Sequence, residues 1–137
     1  MKPLTADELV ELLPPDEATL DAALRRFDVA SPGFCREPGY CKQLIDEGWM
    51  TPAQINWNGK PAFIITWHLA PDGGFWLDLA QTLDSGAPFD VLTDSIERIA
   101  REKRCRYIRF LTLRRGLVRL TQQRGYRPET VMLTKLL

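Results

Sequence analysis

Residues 75–83 alternate Phe75, Leu77, Leu79 and Leu83 with Trp76, Asp78, Ala80 and Thr82, the two-residue period of a strand. A helix is expected next, over residues 91–104. Leu92, Ile96, Ile99 and Ala100 fall on one apolar stripe, while Asp94 with Arg98 and Glu97 with Arg101 form i,i+4 pairs on the wet side. Residues 107–113 read as the next strand, 116–124 as a helix stopped by Gly125, and 130–137 as a closing strand. A strand, a crossover helix and a second strand favour a parallel pair joined right-handedly.

Upstream, Thr5 and Glu8 form a capping box ahead of Leu9, Val10, Leu12 and Leu13, which predicts a first helix ended by Pro14-Pro15. Asp16 caps a second helix, whose Leu20, Ala23, Leu24 and Phe27 make a stripe that must pack on a sheet. The Pro32-Gly33 and Pro38-Gly39 pairs mark an irregular connection, followed by a short helix over residues 41–47 that Gly48 stops. Residues 52–57 and 62–70 are strands joined by Asn58-Gly59, a two-residue type I′ hairpin signal, and the Pro71–Gly74 turn leads into residues 75–83. These three strands form an antiparallel meander, so the fold class expected is mixed α/β with helices on both faces.

A chain of 137 residues can bury about two-thirds of its unfolded surface as one domain, and a single domain over residues 1–137 is expected. Without an apolar leader or a run of roughly 20 apolar residues, a soluble, cytoplasmic protein with no membrane partner is expected. Three cysteines, Cys35, Cys41 and Cys105, fit free thiols better than a disulfide framework. With His68, Cys35 and Cys41 do not have metal-site spacing, so no metal is expected. The net charge of zero conceals a polarity: residues 1–97 carry −10 and residues 98–137 carry +10. Mutually compensating solvated faces and an anionic ligand on the basic part both account for it.

The order of helices, meander, helix, strand, helix and strand resembles the GNAT acyltransferase superfamily. The phrase from Leu117 through Leu120, Gly125 and Tyr126 resembles that family's closing apolar-faced helix, which ends in Gly and an aromatic before a new strand. The resemblance implies a mixed sheet and N-acyl transfer. It also implies acyl-CoA lying in a gap between residues 75–83 and 107–113, along Leu79 and Leu83, with Ser85 and Gly86 at the following turn. Three departures accompany it. The stretch from Asp84 to Asp90 has one glycine, a Pro88 that lacks a donor, and two carboxylates that repel phosphate, where acetyl-CoA users carry a glycine-rich pyrophosphate loop. Thr121 stands where the resemblance implies a tyrosine acid. No equivalent of the family's first strand is evident before Thr5. Acyl-CoA is therefore expected to bind weakly.

Asp78 is the first catalytic candidate, because a carboxylate midway along a central strand must be solvated by a cleft, paired or catalytic, and the resemblance places a general base on this strand. Pairing with an arginine such as Arg109 is the alternative. His68, the single histidine, reads as a satisfied structural group. Arg114 and Arg115 open the last helix, where the dipole favours anions, and are candidates for holding a phosphate or carboxylate. Two function classes follow: a divergent N-acyltransferase, or a non-catalytic GNAT-like protein that docks a macromolecule, as the resemblance implies for short members encoded by phages and prophages. Nucleic-acid binding through the basic C-terminal half is less supported, since few aromatics interleave with the arginines. Compression of two closing strands into residues 130–137 would leave an edge for a second copy or a protein partner.

Overall fold

The computed structural model describes residues 9–30, 39–110, 115–128 and 135. The larger of two compact units, residues 4–110, holds a five-stranded mixed sheet in the order β1-β2-β3-β4-β5. Its strands are β1 (Val10–Leu13), β2 (Thr51–Trp57), β3 (Lys60–Leu69), β4 (Gly74–Thr82) and β5 (Tyr107–Phe110). Strands β1 to β4 pair antiparallel, and β4 and β5 pair parallel, as the crossover pattern predicts. Asn58 and Gly59 turn β2 into β3 with φ of 52° and 79°, the left-handed pair that a type I′ hairpin needs.

The helix expected over Leu9 to Leu13 is instead strand β1. Even from the expected cap at Thr5 fewer than ten residues precede Pro14-Pro15, a length at which a helix is marginal without tertiary packing. Val10 and Leu12 alternate with Glu11 and Leu13 and pack against the sheet's core cluster. The strand is anchored by a bond from the Asn58 N–H to the Leu9 carbonyl (2.8 Å) and one from the Leu9 N–H to Asn58 Oδ1 (3.1 Å). An edge strand thus stands where none was expected. The capping box itself lies outside the described residues.

Helix α1 (Glu17–Ala30) begins as predicted: Asp16 Oδ2 accepts bonds from the Thr19 N–H (3.1 Å) and the Thr19 hydroxyl (2.9 Å). Its Leu20, Ala23 and Leu24 are buried with Cys41 of α2 (Tyr40–Asp46) and with Met50, Ile64 and Leu79 on one face of the sheet. On the other face, α3 (Phe89–Glu102) buries Val91, Leu92, Ile96, Ile99 and Ala100 against Ile55, Phe63, Ile65 and Phe75. Each aliphatic side chain so buried contributes about 1.5–3 kcal/mol relative to exposure. Adjacent Ile64 and Ile65, both fully buried on opposite faces, make β3 the central strand of the structure.

One irregularity decides where the chemistry falls. Thr66 pairs with Leu79 but Trp67 pairs with Leu77, so Asp78 is an extra residue in β4, a β-bulge. The bulge reverses the strand's phase: Phe75 and Leu77 pack with the α3 cluster, whereas Leu79 and Leu83 pack with the α1 cluster. The uninterrupted alternation expected over residues 75–83 is therefore broken at Asp78.

The second unit takes in residues 1–3 and 111–137. Its α4 (Arg115–Gln122) ends at Gly125, whose φ of 91° supplies the left-handed stop. The predicted closing strand over residues 130–137 falls outside the described residues apart from Lys135. Cys41 is buried and Cys105 half-buried, both as free thiols. No helix among the described residues is long and apolar enough to cross a membrane.

Candidate active site

At the bulge, both carboxylate oxygens of Asp78 lie within hydrogen-bond reach of His68 Nδ1, at 2.9 and 2.8 Å. His68 reaches it from the neighbouring strand, because its own partner in register is Trp76. The pair is partly sheltered, with side-chain exposures of 39% for His68 and 21% for Asp78. Burial raises the Asp78 carboxyl above its ordinary value, against the opposing hydrogen bond and charge of His68. When the imidazole carries its proton on Nδ1, that N–H donates to Asp78 and Nε2 presents a lone pair. A histidine oriented in this way by a carboxylate has the chemistry of a general base.

The row continues across the sheet. His68, Trp76 and Arg109 are successive partners in register on β3, β4 and β5. The His68 and Trp76 rings stack at 5.8 Å between centroids, inclined by 26°. The Arg109 guanidinium lies over Trp76 at 5.4 Å and over Tyr107 at 4.6 Å. Tyr107 is fixed in turn: its hydroxyl donates to Asp72 at 2.7 Å, and Asp72 also accepts the Gly74 N–H at 3.2 Å. The hydrogen bond raises the Tyr107 hydroxyl and lowers the Asp72 carboxyl from their ordinary values. A Cβ at position 74 would overlap the hydroxyl end of the Tyr107 ring, so any side chain there would require that ring to shift.

The other predicted site residues are distributed differently. The Leu79 side chain, 3% exposed, belongs to the α1 core, and Leu83 packs at its margin. Ser85 and Gly86 are exposed in the turn before α3. In that turn the Gly86 N–H donates to Asp84 Oδ1 at 2.9 Å, and the Ala87 N–H donates to the Asp84 carbonyl at 3.1 Å. Pro88 takes the N-cap position and has no N–H to offer. Thr121 is buried and turned back on its own helix, its hydroxyl at 2.9 Å from the Leu117 carbonyl and 3.0 Å from that of Val118. Arg114 lies outside the described residues, and Arg115 opens α4 in the second unit. No cluster of three or more metal-ligating side chains occurs among the described residues.

Sequence reasoning singled out Asp78 but set aside the histidine that holds it. A signal was present: His68 and Asp78 straddle the short Pro71–Gly74 turn, so any hairpin there brings them near one another. The bulge then places them in contact.

The sheet order, the parallel β4–β5 pair and helices on both faces define the GNAT acetyltransferase fold. A putative acetyl transferase from Pyrococcus furiosus is similar, with 13% identity and a TM-score of 0.66 over 95% of this chain and 99% of that chain. A GCN5-related N-acetyltransferase from Ralstonia eutropha JMP134 gives 14% and 0.64 over 93% and 98%. An acetyltransferase from Trypanosoma brucei gives 11% and 0.64 over 93% and 99%. At these identities the likeness is one of fold. No family model matches the sequence, and no curated protein matches it.

Proposed function

We propose that this chain transfers an acyl group from an acyl thioester to an amine, with the His68–Asp78 pair as its base. The observation that supports the reading is the pair itself: a histidine and a carboxylate in contact at the bulge of a central strand, half-open to solvent, in an acetyltransferase fold. His68 Nε2 takes a proton from the amine as its nitrogen attacks the thioester carbonyl. The C–N bond forms, the C–S bond breaks, and the thiolate leaves to be protonated from solvent. Asp78 orients the imidazole and stabilises the imidazolium that develops.

The turn at residues 84–88 does not fit a pyrophosphate. Two of its amides are already engaged by Asp84, Pro88 has none, and Asp84 and Asp90 add negative charge. The turn therefore offers coenzyme A no pyrophosphate cradle. This closed turn also favours the second reading, a non-catalytic protein that keeps the fold to bind a macromolecular partner.

Acetyl-pantetheine at millimolar concentration, incubated with a panel of primary amines and read by mass spectrometry, separates the two. Amide formation that falls about 10²–10⁴-fold in His68→Gln supports the base. Wild-type turnover by that variant, or none by the wild-type protein on any amine, transfers support to the second reading.

A further inference from the structure

Exposed cations gather at the pole of the larger unit where β4 and β5 begin. Arg101 lies in the last turn of α3, and Lys103, Arg104 and Arg106 follow in the connection to β5, all of them exposed. The β3–β4 turn closes against that connection: the Arg106 N–H donates to the Gly73 carbonyl at 2.8 Å, and the Arg106 stem lies against Gly73. Lys103 reaches over the Trp67 ring of β3 at 5.8 Å. The carboxylates of the same two segments are engaged elsewhere, Glu102 with Arg98 at 3.3 Å and Asp72 with the Tyr107 hydroxyl at 2.7 Å. Among the described residues, the side chains of Arg101, Arg104 and Arg106 have no carboxylate partner. Arg101 complements the negative end of the α3 dipole, but that effect is confined to the last turn and does not account for Arg106 on the far side of the connection.

An apolar position adjoins these cations. Leu69, at the end of β3, is 48% exposed. It lies two residues beyond Trp67, so both project from the face of the sheet that α3 covers, and the turn that Arg106 touches follows directly. An open leucine beside arginines without carboxylate partners distinguishes one class of anion from another. A nucleic-acid backbone gains little from it. The Trp67 ring, which could otherwise stack on a base, is already stacked on Phe75 at 5.2 Å between centroids and lies under Lys103. A protein segment that carries both carboxylates and an apolar side chain uses both features, since planar guanidiniums suit carboxylates and Leu69 suits the apolar group.

We propose that this pole docks a short acidic segment of a partner protein, with its carboxylates on Arg101, Arg104 and Arg106 and an apolar side chain against Leu69. His68 and Leu69 are neighbours on a strand in regular register here, so they point to opposite faces, and the docking surface lies across the sheet from the His68–Asp78 pair. The proposal therefore holds whether or not the chain transfers an acyl group.

The probe is a fluorescein-labelled peptide of alternating glutamate and leucine, followed by fluorescence anisotropy at physiological ionic strength. One control peptide has serine in place of leucine, another has glutamine in place of glutamate, and labelled single- and double-stranded DNA oligonucleotides represent the other polyanion. Wild-type protein should bind the glutamate–leucine peptide at least about tenfold more tightly than either control peptide or either DNA. The double variant Arg104→Gln with Arg106→Gln should lose about tenfold or more of that affinity. Leu69→Ser should weaken the glutamate–leucine peptide by about threefold or more and leave the serine control unchanged. Because the three side chains are exposed, urea denaturation should find both variants as stable as wild type. His68→Gln should bind the peptide as wild type does, even where amide formation is lost. DNA bound as tightly as the peptide would assign the pole to a nucleic acid and overturn the proposal. Equal binding of either control peptide, full affinity in the double variant, loss of binding in His68→Gln, or no binding of the glutamate–leucine peptide by wild-type protein would overturn it as well.

Discussion

The turn that precedes α3 yields the most direct prediction, because its donors can be assigned one by one. A phosphate-binding turn gathers several backbone N–H groups, and charge-assisted bonds of that kind contribute roughly 1.5–3 kcal/mol each. Here the Gly86 amide is bonded to Asp84 Oδ1 at 2.9 Å, the Ala87 amide to the Asp84 carbonyl at 3.1 Å, and Pro88 has no amide hydrogen. With those three positions unable to serve, acetyl-CoA should bind wild-type protein with a dissociation constant of about a millimolar or weaker, roughly 4 kcal/mol or less. Asp84→Ala removes the side chain that engages Gly86 and one negative charge, so a single donor is released. One donor regained predicts tightening by about 10- to 100-fold, still well short of a complete cradle. Calorimetric titration at physiological ionic strength reads both values. Repeating it at low salt separates a fixed contact from the screened field of the basic C-terminal half. Micromolar binding by wild-type protein, or an Asp84→Ala variant no tighter than wild type, would show that these amides do not limit affinity.

Three further outcomes are expected. Gly74→Ala drives a methyl group into the Tyr107 ring and should cost about 1–3 kcal/mol in urea denaturation, the range for overpacking a filled site, whereas a loss within error would mean that the ring has room to move. Leu79→Ala should cost about 2–5 kcal/mol, because that side chain fills the α1 core rather than a ligand groove; a stable variant with altered ligand binding would reverse the assignment. The Asp78 carboxyl is raised in the folded state, so its contribution to stability is greatest below its ordinary value of 3.8 and is lost as pH rises through the folded value. The stability of wild-type protein relative to Asp78→Asn should therefore fall with rising pH across that interval in a series of urea titrations, and a rise would mean that His68 outweighs burial.

How much of this was legible in the sequence depended on whether local pattern and tertiary demand agreed. The α3 stripe of Leu92, Ile96, Ile99 and Ala100, the Asp16 cap and the Asn58-Gly59 turn are short-range signals, and the fold uses each as written. At Leu9 to Leu13 the two disagreed. A capping box and four apolar residues in five read as helix, yet β2 offers an unpaired edge and Val10 and Leu12 gain a core by alternating on it. Pairing with residues more than forty positions away is not written in any local window. The candidate site has the same character: Asp78 stood out as a buried-strand carboxylate, while Arg109, Trp76 and Tyr107 acquire meaning only through the registers that align β3, β4 and β5.

The bulge joins the fold to the chemistry through one residue. A regular β4 would keep Phe75, Leu77 and Leu79 on the α3 face and leave the α1 helix without the Leu79 side chain that it buries. Adding one residue satisfies both helices, and the residue added cannot itself pair in the ladder with β3. An apolar side chain at that position would have no assigned core to enter. A carboxylate there is compatible with packing because His68, two strand positions beyond Thr66, supplies a hydrogen-bonding partner at 2.8 Å. The same interruption that lets one strand serve two cores therefore creates a half-buried position at which a polar pair is tolerated, and it sets the imidazole at the head of the row formed with Trp76 and Arg109.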